Sequence, residues 1–328
     1  MNLFEPPSFL PSRRFPGGHL QTLASVRATV ANVAADRKHV VELEDGDAIV
    51  VHENDPAKSA TEEAEQTLVL FHGLSGCHGS PYMIRLVRRF CQLGYRVCRV
   101  DMRGCGDARE LAEGISHAGR SEDVGAALAS IADRHGQTLL SAIGVSLGGN
   151  QLLRCCGRIG AGLESKPTWW SRMQKVAVVA PPIDLLRCSQ NMSRWGRRLY
   201  NRYFIRALIR RAPNRLRDRD AFRQVIADRM PTTLFELDDR LTAPLSGFGN
   251  ANEYYAECGA GTVAGHNPLP TLVVAAEDDP IVPVDCFARK DWPDSTRVVI
   301  SRGGGHAGYV GRGGQQWMDE CLHRWLDW

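Results

Sequence analysis

The sequence predicts an α/β fold: a mostly parallel sheet covered by helices on both faces and interrupted by one helical insertion. Short apolar runs alternate with helical patterns along most of the chain, as in sheets whose strands are buried on both sides. Between residues 184 and 266, by contrast, about eighty residues carry no strand pattern, although a plain strand and helix unit needs far fewer. The chain is therefore expected to form one large α/β domain with an inserted lid.

The first predicted element is a β-hairpin. The segment HVVELEDGDAIVVHE, residues 39–53, alternates apolar and polar positions on both sides of Asp45-Gly46, which is typical of two strands joined by a tight turn. The elements after it alternate in type. Strands are predicted at 67–72, 95–102, 138–145, 175–182, 271–277 and 296–301, and helices at 81–94, at 122–135, from 147 onward and at the C-terminus up to 328.

The insertion divides the chain into three parts. Residues 1–183 and 267–328 are predicted to build the core, and residues 184–266 are predicted to form a helical lid. Within the lid, arginines and apolar residues each recur at every fourth position: Arg194, Arg198, Arg202, Arg206 and Arg210, with Tyr200, Phe204 and Leu208 on a different face. This spacing predicts a basic amphipathic helix. Its arginines either face water while the apolar face packs on the core, or contact anionic lipid headgroups or an acidic substrate.

Composition narrows the class of protein. A chain of 328 residues, 43% of them hydrophobic, can bury a substantial core. The net charge of +3 is too small to indicate a nucleic-acid partner. The ten cysteines are scattered without a CxxC pair, so neither a disulfide framework nor a metal site is expected. No signal-peptide pattern and no apolar stretch of membrane-spanning length is found, which predicts a cytoplasmic protein with reduced thiols.

One short motif indicates a nucleophile. GVSLGGN, residues 144–150, contains GxSxG, which a glycine-rich chain can hold by chance, but this copy joins an apolar strand pattern to an apolar helix pattern. A strand, turn and helix of this kind is the setting of a nucleophile elbow, where the serine has a strained backbone. Gly144 and Gly148 are then required because strand and helix approach closely. Ser146 is the predicted nucleophile.

A nucleophilic serine needs a base, and the base needs an orienting acid. His306 follows the last predicted strand in the segment RGGGHAGYVG, and Asp278 and Asp279 follow the strand before it. The order serine, acid, histidine, with each residue at the carboxyl end of a strand, is that of an α/β-hydrolase. Either carboxylate could face the histidine. Asp279 is favoured because Pro280 restricts its backbone, which would leave Asp278 as a supporting residue.

Two backbone amides are expected to bind the oxyanion that forms during attack on a carbonyl group. Leu147 directly follows the nucleophile, and Leu74 lies in HGLSGCHG, the segment after the strand at 67–72. His72 and His78 of that segment are predicted to order the loop. A further segment, DMRGCGD at 101–107, ends a strand at the same edge, and its two aspartates, Asp101 and Asp107, are predicted to be structural.

Six segments form a recognisable set: GGHLQTL, HGLSG, DMRGCGD, GVSLGGN, AEDDPIVP and GGGHAGY, in this order along the chain. The set resembles the YheT-like branch of the α/β-hydrolases, which is related to eukaryotic membrane-associated lipases and yeast medium-chain ethyl ester synthase/esterases. The resemblance implies a serine hydrolase of small-molecule or lipid esters, with Ser146, Asp279 and His306 as the triad and no cofactor or metal. Acyl transfer to an alcohol is the alternative, and a non-catalytic binding protein of this fold is a third interpretation.

Overall fold

An eight-stranded sheet forms the centre of the computed structural model. The structure describes residues 4–27, 30–57, 65–288 and 291–328. The strands are β1 Arg37–Glu42, β2 Ala48–Asn54, β3 Gln66–Phe71, β4 Arg96–Asp101, β5 Leu139–Val145, β6 Met173–Val179, β7 Thr271–Ala276 and β8 Thr296–Ser301. Their order across the sheet is β1-β2-β4-β3-β5-β6-β7-β8. β2 pairs antiparallel with β1, as the hairpin predicts, and with β4, whereas all other neighbours are parallel.

Helices cover both faces of this sheet. They are α1 Gly17–Arg27, α2 Pro81–Gln92, α3 Ser121–Arg134, α4 Leu147–Gly160, α5 Leu185–Met192, α6 Arg198–Arg211, α7 Asn214–Arg217, α8 Asp220–Asp228, α9 Leu234–Leu237, α10 Ala243–Leu245, α11 Ala251–Cys258, α12 Asp285–Ala288 and α13 Trp317–Asp327. None of the described helices combines the length and apolar character needed to cross a bilayer.

The two faces of the sheet pack into two apolar clusters, because successive side chains of a strand point in opposite directions. In β3, Val69 belongs to the cluster that also contains Leu128 of α3 and Leu152 of α4. Leu70 belongs to the other cluster, with Phe90 of α2 and Trp325 of α13. Burial on both sides is the reason that the central strands are continuous apolar runs in the sequence. The predicted mostly parallel α/β architecture is confirmed.

Two elements of the structure differ from the prediction. The strand predicted at 175–182 is β6, which begins at Met173 and ends at Val179. It ends there because Ala180 has a positive φ of 48° and the two prolines that follow, Pro181 and Pro182, have no amide hydrogen to donate to a neighbouring strand. The N-terminal helix α1 was not predicted at all, and its short segment is too mixed in polarity to show helical periodicity.

The segment predicted to be a lid, residues 184–266, is helical and contains no strand. The prediction that Arg194 belongs to the arginine-rich helix is wrong, because α6 begins only at Arg198 and a 3₁₀ turn, Trp195–Arg197, precedes it. Gly196 lies in this turn, and glycine is unfavourable inside an α-helix by about 1 kcal/mol. The division of the chain into core and lid remains a prediction.

Candidate active site

Ser146 lies in a sharp turn between β5 and α4. Its backbone has φ 53° and ψ −119°, a conformation that costs a non-glycine residue on the order of 1–3 kcal/mol. A β-carbon on Gly148 would lie 2.5 Å from the carbonyl oxygen of His72, and one on Gly144 would lie 2.6 Å from that of Gly148. Both glycines are therefore required for the close approach of strand and helix, as the motif predicts.

Three side chains from distant parts of the chain meet at this turn. The Nε2 atom of His306 lies 2.8 Å from the hydroxyl oxygen of Ser146, and the Nδ1 atom of His306 lies 2.9 Å from a carboxylate oxygen of Asp279. The other carboxylate oxygen of Asp279 accepts hydrogen bonds from the amides of Ile281 and Val282, at 2.7 and 3.0 Å. The Asp279 side chain is only 2% exposed, so both its orientation and its dry surroundings are fixed by the loop. The geometry permits proton transfer from the serine hydroxyl to an oriented imidazole.

The neighbouring carboxylate points elsewhere. Asp278 accepts a hydrogen bond from the amide of Gly305 at 2.9 Å and thereby supports the loop that carries His306. Burial raises the pKa of Asp278 above its ordinary value. The structure thus places Asp279, and not Asp278, against the imidazole.

The two amides predicted to bind an oxyanion lie on either side of the serine. Leu147 is the first residue of α4, where backbone amides point out of the helix with no partner in the previous turn. Leu74 follows Gly73, whose α-carbon packs so closely on the serine that an added β-carbon would lie 3.0 Å from that of Ser146. Neither the Leu74 nor the Leu147 amide donates a hydrogen bond to another of the described residues. Both side chains line the cavity in front of Ser146.

His72 holds the loop that contains Leu74, as predicted. Its Nε2 atom accepts a hydrogen bond from the amide of Met102 at 3.2 Å, so Nδ1 carries the proton and donates to the carbonyl oxygen of Gly73 at 2.8 Å. Burial lowers the pKa of His72, which keeps the imidazole neutral and this tautomer in place. His72 therefore positions the backbone next to Ser146.

Asp101 connects several loops at the same edge of the sheet. Its carboxylate accepts hydrogen bonds from His52 at 3.0 Å, from the ring and the amide of His78 at 2.7 and 2.6 Å, and from the amide of Asp107 at 2.8 Å. Burial alone would raise the pKa of Asp101, but the hydrogen bonds from the two histidines outweigh it and hold the pKa well below its ordinary value. The ligand atoms of the four residues lie within 4.8 Å of one another. Hydrogen bonds account for the contacts among these residues, so the cluster anchors the loops to one another.

Helix α1 contributes supporting residues that motif reasoning did not identify. The hydroxyl of Thr22 accepts a hydrogen bond from the amide of His306 at 2.8 Å. The side chain of Gln21 accepts from the amide of Val310 at 2.8 Å and donates to its carbonyl oxygen at 3.0 Å. Gly18 packs on the backbone of Asp278 with no room for a side chain. All three residues belong to the segment GGHLQTL, which contributes to the family resemblance but contains no motif that assigns a role to Gln21 or Thr22.

A cavity of about 160 Å³ lies in front of the serine. Ser146 and His306 open onto it, and the helices of the predicted lid supply most of its wall. The apolar residues of this wall include Met192, Phe204, Leu208, Leu216, Phe222, Leu234, Leu237 and Leu241. An apolar cavity beside a nucleophile, a base and free amides can hold a hydrocarbon chain while a carbonyl group is attacked.

One carboxylic acid interrupts this apolar wall. Asp238 lines the cavity and accepts a hydrogen bond from the hydroxyl of Tyr255 at 2.7 Å. Burial raises the pKa of Asp238 to about 6. It lies in a π-helical turn, Asp238–Thr242, a rare geometry that is frequent at functional sites.

Replacing Asp238 with asparagine should make stability less dependent on pH. The pKa of Asp238 is higher in the folded than in the unfolded protein, so its protonated form stabilises the fold below about pH 4, and this contribution is lost as the pH rises through about 6. The unfolding free energy of Asp238→Asn minus that of wild type should therefore be larger at pH 7 than at pH 4, by on the order of 1–3 kcal/mol. Urea unfolding at both pH values measures this, and a constant difference would contradict it.

The sequence of this chain is similar to those of several known proteins. The chain is 28% identical over 327 residues to the putative esterase YheT of Escherichia coli (strain K12), covering 97% of this chain and 92% of that protein. It is 25% identical to the monoacylglycerol lipase of Saccharomyces cerevisiae and 25% identical to medium-chain fatty acid ethyl ester synthase/esterase 2 of the same yeast. It covers only 61% and 60% of the lengths of the two yeast proteins, and these matches span 83% and 78% of this chain. The resemblance predicted from the six segments is confirmed.

The fold is also shared with solved structures. The esterase Pf2001 of Pyrococcus furiosus superposes with a TM-score of 0.58 at 13% identity, covering 91% of this chain and 96% of that one. At this identity the likeness shows the fold alone. The family model described as alpha/beta hydrolase fold matches residues 66–311, from β3 to beyond His306. Because this match spans most of the chain and includes Ser146, Asp279 and His306, the chain belongs to the α/β hydrolase fold family.

Proposed function

We propose that this protein is a carboxylic ester hydrolase that forms an acyl-enzyme on Ser146. The observation that supports it is the unbroken series of short contacts from the Ser146 hydroxyl through His306 to Asp279, which opens onto an apolar cavity. The names of the relatives, an esterase and a lipase among them, support the same class of substrate.

Acylation begins with attack of the Ser146 oxygen on the ester carbonyl carbon, while its proton passes to Nε2 of His306. Asp279 accepts the hydrogen bond from Nδ1–H, which fixes the tautomer and stabilises the positive charge of the imidazolium. The amides of Leu74 and Leu147 donate to the carbonyl oxygen as it becomes negative. The tetrahedral intermediate then expels the alcohol, which takes the proton from His306, and the acyl group stays on Ser146.

Deacylation repeats these steps with water. His306 accepts a proton from water as its oxygen attacks the acyl carbon, and it returns that proton to the Ser146 oxygen when the free acid leaves. An alcohol in the place of water would give a new ester, which is the acyltransferase alternative. We favour short- to medium-chain acyl groups as substrates, since an apolar cavity of about 160 Å³ adjoins the serine.

A panel of p-nitrophenyl esters of increasing acyl length tests the reaction and the substrate class together. Wild-type protein should release p-nitrophenol and free acid, with a maximum at the acyl length that fills the cavity. The same assay with added ethanol separates the two reactions, because a transferase would give mainly the ethyl ester. Absence of turnover with every ester of the panel would contradict the proposal.

A fluorophosphonate probe should label wild-type protein at Ser146 alone. Among the serines that the structure describes, this one alone lies against an oriented imidazole and beside two free backbone amides. Labelling should disappear in Ser146→Ala and persist in the control Ser116→Ala, which removes another hydroxyl from the same cavity wall. Gel fluorescence and mass spectrometry of the labelled peptide provide the measurement. Undiminished labelling of Ser146→Ala would refute the nucleophile assignment.

A further inference from the structure

The outward side of the α6 region carries large apolar side chains in water. Trp195 and Leu199 are each 79% exposed and Tyr203 is 47% exposed, and they follow one another at every fourth position. We refer to these three residues as the α6 ridge. Single exposed apolar residues are normal on a protein surface, but a row of three on one line is typical of an interaction surface.

Positive charge surrounds the α6 ridge. Between Asp184 and Asp218 the sequence contains ten arginines and no acidic residue. Arg198, Arg202, Arg206 and Arg210 of α6 are all exposed. At 3.6 residues per turn, Arg206 and Arg210 share the outward face with Leu199 and Tyr203. These four arginines form no ion pair with a carboxylate of the described residues.

The opposite side of α6 belongs to the cavity. Phe204 and Leu208 line the space in front of Ser146, and Ile205 is buried against the other lid helices. Tyr200 and Arg197 both contact the ring of His19, at 3.0 and 2.9 Å, which ties this end of the lid to α1. A partner bound to the outward side would therefore lie one helix diameter from the active site.

The combination of features favours one kind of partner. If the arginines served only to face water, there would be no reason for the neighbouring side chains of Trp195 and Leu199 to be 79% exposed. An anionic bilayer suits both sets of side chains, because apolar side chains enter the acyl boundary while guanidinium groups remain among the phosphates. An acidic protein partner would match the charge but would not require such protruding aromatic and aliphatic groups.

We propose that the α6 ridge and its flanking arginines bind the surface of an anionic phospholipid bilayer. Trp195, Leu199 and Tyr203 insert between headgroups, and the arginines contact phosphates. This interaction does not depend on the proposed hydrolysis, since binding involves no residue of the cavity wall and is measured without turnover. Failure of one proposal therefore leaves the other standing.

Co-sedimentation with vesicles tests the proposal. Wild-type protein should bind vesicles of phosphatidylcholine and phosphatidylglycerol at low salt, bind pure phosphatidylcholine vesicles far less, and detach near 1 M salt, where the Debye length falls to about 3 Å. Replacing Arg198, Arg202 and Arg206 with glutamine should weaken binding by about a hundredfold, from about fivefold for each arginine. Hydrolysis of a small soluble ester should stay within about twofold of wild type, because none of these side chains lines the cavity.

Matched variants separate insertion from simple charge attraction. Leu199→Ser should weaken binding by about tenfold, whereas Leu163→Ser, at a leucine 60% exposed on another surface, should have no effect. Brominated lipids should quench tryptophan fluorescence in wild type and in Trp328→Phe, but not in Trp195→Phe. Absence of wild-type binding to acidic vesicles at low salt would overturn the proposal. Equal binding by Leu199→Ser and wild type, with no quenching at Trp195, would overturn the insertion of the α6 ridge.

Discussion

Asparagine in place of Asp279 is expected to lower kcat by about four powers of ten. The carboxylate accepts the hydrogen bond from Nδ1 of His306 and leaves Nε2 free to take the proton of Ser146. An amide can donate its NH₂ group to Nδ1, which would favour the tautomer with its proton on Nε2 and block the base. The variant would also lose the charge that stabilises the imidazolium. Steady-state kinetics on one p-nitrophenyl ester measures the loss.

Asp278→Asn is the matched control for this prediction. Its side chain holds the amide of Gly305, and an asparagine oxygen can accept the same hydrogen bond. Loss of part of one hydrogen bond corresponds to at most about tenfold in rate. Thermal melting of both variants checks that each is folded. If Asp278→Asn were the inactive variant, the assignment of the acid would be wrong by one residue.

The second large effect is expected from a single methyl group at Gly148. A β-carbon there would lie 2.5 Å from the carbonyl oxygen of His72 and 2.8 Å from that of Phe71, and backbone atoms cannot swing aside as a flexible side chain can. Helix α4 would have to move away from β3, and both Ser146 and the Leu147 amide would move with it. A displacement near 1 Å in a reacting group can cost about a hundredfold, so we expect kcat/KM of Gly148→Ala to fall by at least that factor.

Stability should fall together with activity in this variant. Overpacking of a tight contact costs about 1–3 kcal/mol of unfolding free energy. The control is Gly125→Ala in α3, where the nearest atom to the new methyl group would be the sulfur of Cys155 at 3.9 Å. That substitution should stabilise the protein by about 0.5–1 kcal/mol and leave kcat unchanged. Urea unfolding and ester kinetics on both variants test the prediction, and a fully active Gly148→Ala would contradict it.

Much of the fold could be read from the sequence because the central strands are buried on both faces. Such strands appear as apolar runs, as in TLVLF of β3 and TLVVAA of β7, and their alternation with helices fixes the class of fold. The candidate triad could also be located, since each of its side chains follows a strand and strand ends of a parallel sheet meet at one edge. Pro280, which restricts the backbone of the residue before it, also favoured Asp279 over Asp278 as the acid.

The remaining features depend on contacts that no local pattern contains. Thr22 holds the His306 loop from a helix without helical periodicity, and the hydroxyl that bonds Asp238 belongs to Tyr255, 17 positions further along the chain. The α6 ridge was missed for a different reason. Arginines at every fourth position predict a charged helix face, whereas the exposure of Leu199 and Tyr203 depends on which side of the helix the core leaves open.

The contact between α1 and the His306 loop has a consequence for how the protein is made. Thr22 and His306 are separated by 284 positions, and Gln21 is separated from Val310 by 289. On the ribosome, the hydroxyl that accepts from the His306 amide is therefore synthesised 284 residues before its partner. Ser146 is likewise synthesised well before β8, and the imidazole beside it can be fixed only after His306 has been added to the chain. Ser146 therefore has no imidazole partner while the intervening residues are translated, and the candidate site is completed only when α1 and the His306 loop come together.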